Sequence, residues 1–360
     1  MRVLIDATSL LLRSAGIKTY TWHWIRSLRQ QAGPSDEIAT FPFLNGLGDL
    51  RHDASVLSAA STLPRLGLLY FLNLPGNPAI DWAVRGADLF HASNQVRNPP
   101  RKTRLTATLH DLTCWLMPEL HTAGNVRADH AFAEHVLKRA TGLIAVSENT
   151  RADAIRLLGI PPERIEVIYS GIPDAFFEAQ PTSSPKPYVL YLGAIEPRKN
   201  VDTLLDAWTS FALHDEFDLV IAGAPGWSAA RILARLESGI PGVRYLGYVP
   251  EPELPGLTAG ATAFVYPSLY EGFGFPVAQA MAAGVPVVTS NTSCLPEITG
   301  DAALLVDPRS PAEISAALEK LLTSPTLRTT LAEAGRVRAE RYRWDRCAAD
   351  SLEFFRRYVS

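Results

Sequence analysis

Short apolar runs alternate with helix-period stretches along the whole of this chain, and that alternation restricts the fold more than any single residue does. Val3–Asp6 reads as a buried strand and Lys18–Gln31 as the helix that follows it. Leu89–His91, Thr106–Leu109 and Gly142–Val146 read as further strands, and Arg127–Ala140 and Asn149–Leu158 as helices, with Gly159 as a helix stop. Glu166–Tyr169 closes this half as a strand. The stretch Glu178–Pro187, EAQPTSSPKP, has no apolar period and reads as a linker. The series then restarts with strands at Tyr188–Gly193, Phe217–Ala222, Val243–Leu246, Ala263–Tyr266, Val287–Thr289 and Ala303–Val306. Its helices are Val201–Ala212, Trp227–Glu237, Pro252–Gly260, Pro276–Ala283, Pro311–Thr323 and Thr326–Arg341. Strands alternating with helices imply parallel sheets joined by right-handed crossovers. Two such series predict an α/β protein with two doubly wound, Rossmann-like domains, 1–180 and 181–344. The length, 360 residues, suits two domains of that kind.

Composition narrows the partners. With 47% apolar and 20% charged residues the chain can fill two cores, and its net charge of −3 lacks the basic stripe of a sequence-independent nucleic-acid binder. Cys114, Cys294 and Cys347 are scattered, as expected of core thiols in a reducing compartment. Asp6 interrupts the first apolar run, so Met1–Asp6 does not read as a signal peptide, and no stretch reaches the roughly 20 apolar residues that span a bilayer. The expectation is a soluble cytoplasmic protein. A peripheral contact with the inner face of the membrane stays open, because Arg97, Arg101, Lys102 and Arg104 form a small basic cluster. An ordinary solvated loop is the plainer reading of that cluster, since charge runs usually have no partner.

In open parallel sheets ligands bind beyond the carboxyl ends of the strands, so residues just after predicted strands are the candidates. Pro267–Pro276 joins a strand to a helix. Gly272 and Gly274 let the backbone turn and approach a ligand, free N–H groups at the helix start suit a phosphate, and Glu271 suits sugar hydroxyls. Gly193–Asn200 places Arg198 and Lys199 together at a helix start, where cations oppose the helix dipole unless an anion is present. A solvated charge pair is the plainer alternative. His110-Asp111 follows a strand at a position where an imidazole can meet a hydroxyl, and the first strand's loop carries Gly16 within Ser14–Thr19. That loop is not GxGxxG, which weakens the case for a nicotinamide dehydrogenase. No metal cluster, DxD pair, GxSxG elbow or Walker A pattern is present; His121, His130 and His135 lack ligand spacing.

These segments together resemble a known family. The run YEGFGFPVAQAMAAGVPVVTSNTSCLPEITGDAALLVDP, Tyr270 to Pro308, is similar to the donor signature of the family 4 retaining glycosyltransferases. LGAIEPRKN (Leu192–Asn200), LHDL (Leu109–Leu112), VSENTRAD (Val146–Asp153) and the Gly16 loop match in the same order. The resemblance implies the GT-B fold, two facing Rossmann-like domains with a cleft between them, and a final helix, 345–360, that crosses back onto the first domain. It implies a nucleotide-sugar donor on the second domain and a glycan, lipid-linked or small-molecule acceptor on the first, with no metal or other cofactor. By likeness Arg198 and Lys199 meet the diphosphate, Glu271 the sugar hydroxyls and His110 the transferred sugar. Gly16, Gly193, Gly272, Phe273, Gly274 and Phe275 line the donor, and the Gly247–Val249 segment, with Tyr248 and Val249, meets the base. Two departures stand out. The second carboxylate of the motif is replaced by Gln279, which loses charge-assisted hydrogen bonding to a ribose, and an Arg common after the strand glycine is Ala194.

The resemblance implies retention of anomeric configuration, with GDP-mannose as first donor and a UDP sugar as second. Negative charge gathering on the departing diphosphate would be met by Arg198, Lys199 and loop amides. Competing readings are a non-catalytic nucleotide-sugar-binding subunit, a sugar-nucleotide epimerase and a phosphorylase.

Overall fold

In the computed structural model, which describes residues 1–13, 16–44, 46–52, 54–93 and 96–359, the alternation becomes two parallel sheets. The first contains β1 (Arg2–Asp6), β2 (Glu37–Phe41), β3 (Leu89–Ala92), β4 (Arg104–Leu109), β5 (Gly142–Ala145) and β6 (Ile165–Val167), in the order β2-β1-β3-β4-β5-β6. The second contains β7 (Tyr188–Leu192), β8 (Asp218–Ala222), β9 (Val243–Gly247), β10 (Ala263–Tyr266), β11 (Val287–Ser290) and β12 (Ala303–Val306), in the order β12-β11-β10-β7-β8-β9. Helices cover both faces of such sheets, which is why β3, β5, β7, β10 and β11 are buried at every position rather than at alternate ones.

The strand order sets where loops diverge. In the first sheet the chain runs from β1 out to β2 and returns to β3 on the other side of β1. In the second it runs from β7 through β8 and β9 and returns to β10 on the other side of β7. The β1/β3 and β7/β10 pairs are therefore the topological switch points of the two sheets.

The chain divides into Met1–Gly171 with Trp344–Ser360, and Ile172–Arg343. The division falls earlier than residue 180. Ile172 bridges to Arg343, and the Pro- and Ser-rich stretch belongs to the second unit, where Thr182 N donates to Gly256 O at 3.0 Å. Gly256 and Gly260 make room for that strand of backbone, since a Cβ on either would collide with Thr182. In the first unit the closing helix Trp344–Val359 packs along the helix Gly16–Gln31. Trp24 Nε1 donates to Ser351 Oγ at 2.9 Å and Ser27 Oγ to Trp344 O at 3.0 Å.

Several elements differ from their expected form. The helix expected at Arg127–Ala140 begins at Ala123, where Thr122 caps the Asn125 N–H, and passes into a π turn at Ala133–Leu137. The strand expected at Glu166–Tyr169 is Ile165–Val167. The edge strand β2 and the helices Ala59–Leu72, Ala79–Ala83 and Leu295–Thr299 have no counterpart in the periodicity. β2 is short and begins with an exposed Glu37. Ala59–Leu72 contains Pro64 and leaves much of its apolar surface exposed, so its sequence shows no inward stripe.

Candidate functional site

The β7/β10 switch brings two loops together that are about seventy residues apart in sequence. After β7, Pro197–Lys199 forms one 3-10 turn, and Asn200 ends it in the left-handed region with φ 61°. Asn200 Nδ2 then donates to Pro267 O at 2.9 Å and Pro308 O at 2.6 Å, and Leu269 N donates to Arg198 O at 2.9 Å. The two loops are thus sewn by the Asn200 amide and a backbone bond, without any charged side chain.

Arg198, Lys199 and Glu271 converge in this pocket of backbone. Lys199 Nζ donates to Glu271 Oε1 at 2.6 Å and to the Tyr266 hydroxyl at 2.7 Å. Arg198 Nη1 lies 3.1 Å from Glu271 Oε2 and donates to Tyr270 O at 2.6 Å, while Nη2 donates to Glu196 Oε1 at 2.9 Å. Tyr266 and Ser268 hydroxyls complete the Oε1 environment at 3.0 and 2.6 Å. Glu271 Oε1 is therefore saturated, and Oε2, facing Arg198, keeps acceptor capacity. Burial pushes the Glu271 pKa upward, but the Lys199 and Arg198 charges and their hydrogen bonds outweigh it and hold it at about 2. Burial raises the pKa of Glu196 despite Arg198 and Lys199 beside it. The two cations are not solvated at a helix start, as the plainer alternative had it. They are part of a buried set of two cations and two carboxylates.

Gly274 has φ 84° and begins the helix Phe275–Ala282, and a Cβ there would press on Leu295. Among the described residues the backbone N–H groups of Phe273, Gly274 and Phe275 have no protein acceptor. Phe273 itself points into the core, edge-on to Tyr342 at 5.4 Å, so only its backbone is available to a ligand. Gly193, the residue after β7, is closed in by Tyr191 and Tyr266, and Gln279 is buried on the second turn of the same helix. The Gly247–Val249 segment ends β9; Tyr248 is exposed and Val249 half-buried. All these residues lie at the carboxyl edge of one parallel sheet.

In the first unit His110 follows β4, one strand beyond the β1/β3 switch, so its position is not the switch point itself. Tyr20 meets it edge-on at 4.9 Å, and its Nε2 is buried without a hydrogen-bond partner. Burial lowers its pKa to about 4, against the upward pull of Asp111, which leaves the ring neutral at pH 7. Asp111 serves the backbone: its Oδ1 accepts from Thr113 N and Oγ1 at 3.2 and 2.8 Å. Gly16 opens the helix Gly16–Gln31, and a Cβ on it would touch nothing; Ser14 and Ala15, in the same expected loop, lie outside the described residues. The β1/β3 switch is joined by Asp6, whose carboxylate accepts from Thr8 N at 3.0 Å and Ser93 N at 3.3 Å. Arg104 of the basic cluster donates to the carbonyls of Tyr358 and Val359 at the end of the chain.

Sequence reasoning did not single out Glu196, Tyr266, Ser268 or Asn200. Glu196 had a signal, a carboxylate two residues before Arg198, but the tyrosine at the end of β10 and the serine after it look like ordinary strand-end residues.

Residues 15–176 match the model of Glycosyltransferase Family 4, and residues 174–338 match that of Glycosyl transferases group 1. The O-antigen chain mannosyltransferase B of Escherichia coli is 33% identical over 291 residues, 76% of each chain. The MMP alpha-(1->4)-mannosyltransferase of Mycolicibacterium hassiacum is 30% identical over 65% of this chain and 59% of its own length. The fold is shared with sucrose-phosphate synthase from Thermosynechococcus elongatus, TM-score 0.76 at 18% identity over 99% and 98% of the two chains. Anabaena HepE in complex with UDP-glucose gives TM-score 0.72 at 18% identity over 98% and 100%. Two Rossmann-like domains built as in these GT-B proteins, and a relative alike over three quarters of its length, place the chain among the group 1 glycosyltransferases, and it is an enzyme of that family.

Proposed function

We propose that this enzyme transfers mannose from a nucleotide-diphosphate sugar to a glycan or lipid-linked acceptor, with GDP-mannose as the first donor and a UDP sugar as the second. The observation that carries the reading is Glu271, held ionised between Arg198 and Lys199 at the β7/β10 switch, beside the three unpaired amides of Phe273, Gly274 and Phe275. Such a place offers fixed positive charge to a diphosphate and one carboxylate oxygen to sugar hydroxyls. The names of the relatives favour mannose, and HepE was solved with UDP-glucose.

In this reading the bond from the anomeric carbon to the β-phosphate oxygen breaks and its electron pair stays on that oxygen. Arg198, Lys199 and the loop amides stabilise the charge as it develops, which gives the leaving group its counter-charge from the protein without a metal. The acceptor oxygen bonds to the same face of the anomeric carbon, and its proton passes to the departing phosphate oxygen, so configuration is retained. No side chain is assigned as a covalent nucleophile. Neutral His110, with Nε2 unpaired, is assigned to a sugar hydroxyl.

Thermal unfolding with a panel of nucleotide sugars, in chelator, tests the donor. Ligand binding to the native state raises the midpoint, and GDP-mannose should raise it most. A chain stabilised by no nucleotide sugar, and releasing no nucleoside diphosphate from any, overturns the proposal. Anomeric coupling in the product reports retention.

A further inference from the structure

Six of the eleven exposed large apolar side chains among the described residues fall between Leu63 and Trp82 of the first unit. Leu63 is 67% exposed, Tyr70 76%, Phe71 51% and Trp82 68%. On the helix Ala59–Leu72 the outward residues recur at helical spacing, Leu63, Gly67 and Tyr70 on one line and Pro64, Leu68 and Phe71 on the next, and exposed Leu74 follows just past its end. The helix carries one charged side chain, Arg65, and it turns aside to the carbonyls of Ser61 and Phe43. Its solvent face is the apolar one, the reverse of an ordinary surface helix.

The basic loop is fastened to this element. Asn73, at the end of the helix, accepts from Arg97 N at 2.8 Å and Asn98 N at 3.3 Å; Asn98 Nδ2 donates to Leu72 O and Asn77 O. Asp81 accepts from the backbone of Arg101 at 2.6 Å and Lys102 at 3.0 Å. Those bonds hold the exposed Arg97 at the end of the apolar helix and the exposed Arg101 and Lys102 at the short helix Ala79–Ala83 that follows it, and among the described residues no carboxylate pairs with their side chains. Arg85 lies over the Trp82 ring at 4.8 Å and extends the same cationic rim.

We propose that this surface docks on a bilayer bearing anionic phospholipid, with Leu63, Tyr70, Phe71 and Leu74 seated among the acyl chains near the headgroups and Arg97, Arg101 and Lys102 on the lipid phosphates. Aromatic rings with a polar edge, such as Tyr70 and Trp82, suit the headgroup boundary, and the neighbouring cations suit its negative potential. A second copy of this chain fits less well, because two-fold pairing through the patch sets the same uncompensated cations against each other. The inference does not depend on the choice of donor sugar.

Co-sedimentation of the full chain with vesicles of phosphatidylcholine alone, or with phosphatidylglycerol added, reads the proposal directly. Binding should strengthen at least about tenfold with phosphatidylglycerol and weaken as salt is raised. A double variant, Tyr70→Ser with Phe71→Ser, should lose at least about tenfold in partitioning on both vesicle types. The variant Arg101→Glu with Lys102→Glu should lose the preference for phosphatidylglycerol and its salt dependence while keeping the residual binding to phosphatidylcholine. Unchanged thermal midpoints show that both variants fold. The proposal is overturned if the wild-type chain stays in the supernatant with both vesicle types. It is equally overturned if sedimentation equilibrium shows a dimer that Phe71→Ser dissociates, since a second copy then covers the patch.

Discussion

The carboxyl ends of the two sheets are built on opposite electrostatic plans. At the second sheet, Glu196, Arg198, Lys199 and Glu271 form a buried ionic cluster with hydrogen bonds at nearly every charged atom. At the first, the carboxylates of Asp6 and Asp111 accept from neutral backbone and hydroxyl groups, neutral His110 sits edge to face with Tyr20, and His91 lies deeper, neutral between Thr106 and Thr108 at 2.9 and 2.8 Å. Burying an ion requires partners fixed in advance, whereas a neutral imidazole requires only a hydroxyl within reach. The difference is the basis of the proposed division, in which the second sheet's edge takes a diphosphate and the first's takes alcohol groups.

Removing a charge from the second cluster should break that division most. Lys199→Ala is expected to lower donor turnover about 100- to 1000-fold, because one fixed donor to a developing oxyanion is lost and Glu271 keeps Arg198 as its one cation beside the Tyr266 and Ser268 hydroxyls. Single-turnover release of nucleoside diphosphate measures it, and a rate near wild type removes Lys199 from the mechanism. At the first sheet His110→Ala should lower transfer about a hundredfold while the donor's thermal shift is kept. If donor affinity falls in parallel, the two edges do not divide the work as drawn.

Acid should separate the two units by stability. Burial holds His23 at about 4, His91 at about 3 and His110 at about 4, all below the ordinary 6.5 and all in the first unit. Each binds its proton more weakly folded than unfolded, so the first unit loses stability as pH falls below 6.5 toward those values, by about 1.4 kcal/mol per imidazole for each pH unit of the fall. Asp129 and Asp350, raised by burial, offset part of this. Glu251 in the second unit is raised by burial to about 7, so that unit gains over the fall from pH 7 toward 4.5; Glu271 begins to cost it only below 4.5. Hydrogen exchange at pH 7 and pH 5, corrected for intrinsic rates, should show β3 and β4 losing protection relative to β7 and β10. Equal losses would contradict the assignment. The smallest expected effect is at Gln279, where Gln279→Glu restores a carboxylate and should tighten donor binding by less than about tenfold, read by titration. Weaker binding would mean that the amide is matched to this donor.

The buried strands were legible because a parallel sheet covered on both faces needs unbroken apolar runs, and LIAV, YVLYL and AFVY are such runs. The helix Ala59–Leu72 was not legible, because periodicity reports burial and this helix leaves its apolar face out. Arg198, Lys199 and Glu271 were legible as residues just past strands. Their mutual contact was not, since Lys199 and Glu271 stand 72 residues apart and local pattern carries no record of which strand returns beside which.

The order of residues along the chain by itself determined the α/β alternation, the existence of two sheets and the family, since each is written in local runs and motifs. Only the tertiary structure decided that β10 pairs with β7, and with it that Glu271 is clasped by both cations and screened by Tyr266 and Ser268. It likewise decided that residues 172–180 and the Pro- and Ser-rich stretch belong to the second unit. The physical reason is the same in both cases: hydrogen bonds and ion pairs between distant segments depend on the packing that brings them within about 3 Å, and no spacing along the backbone encodes that distance.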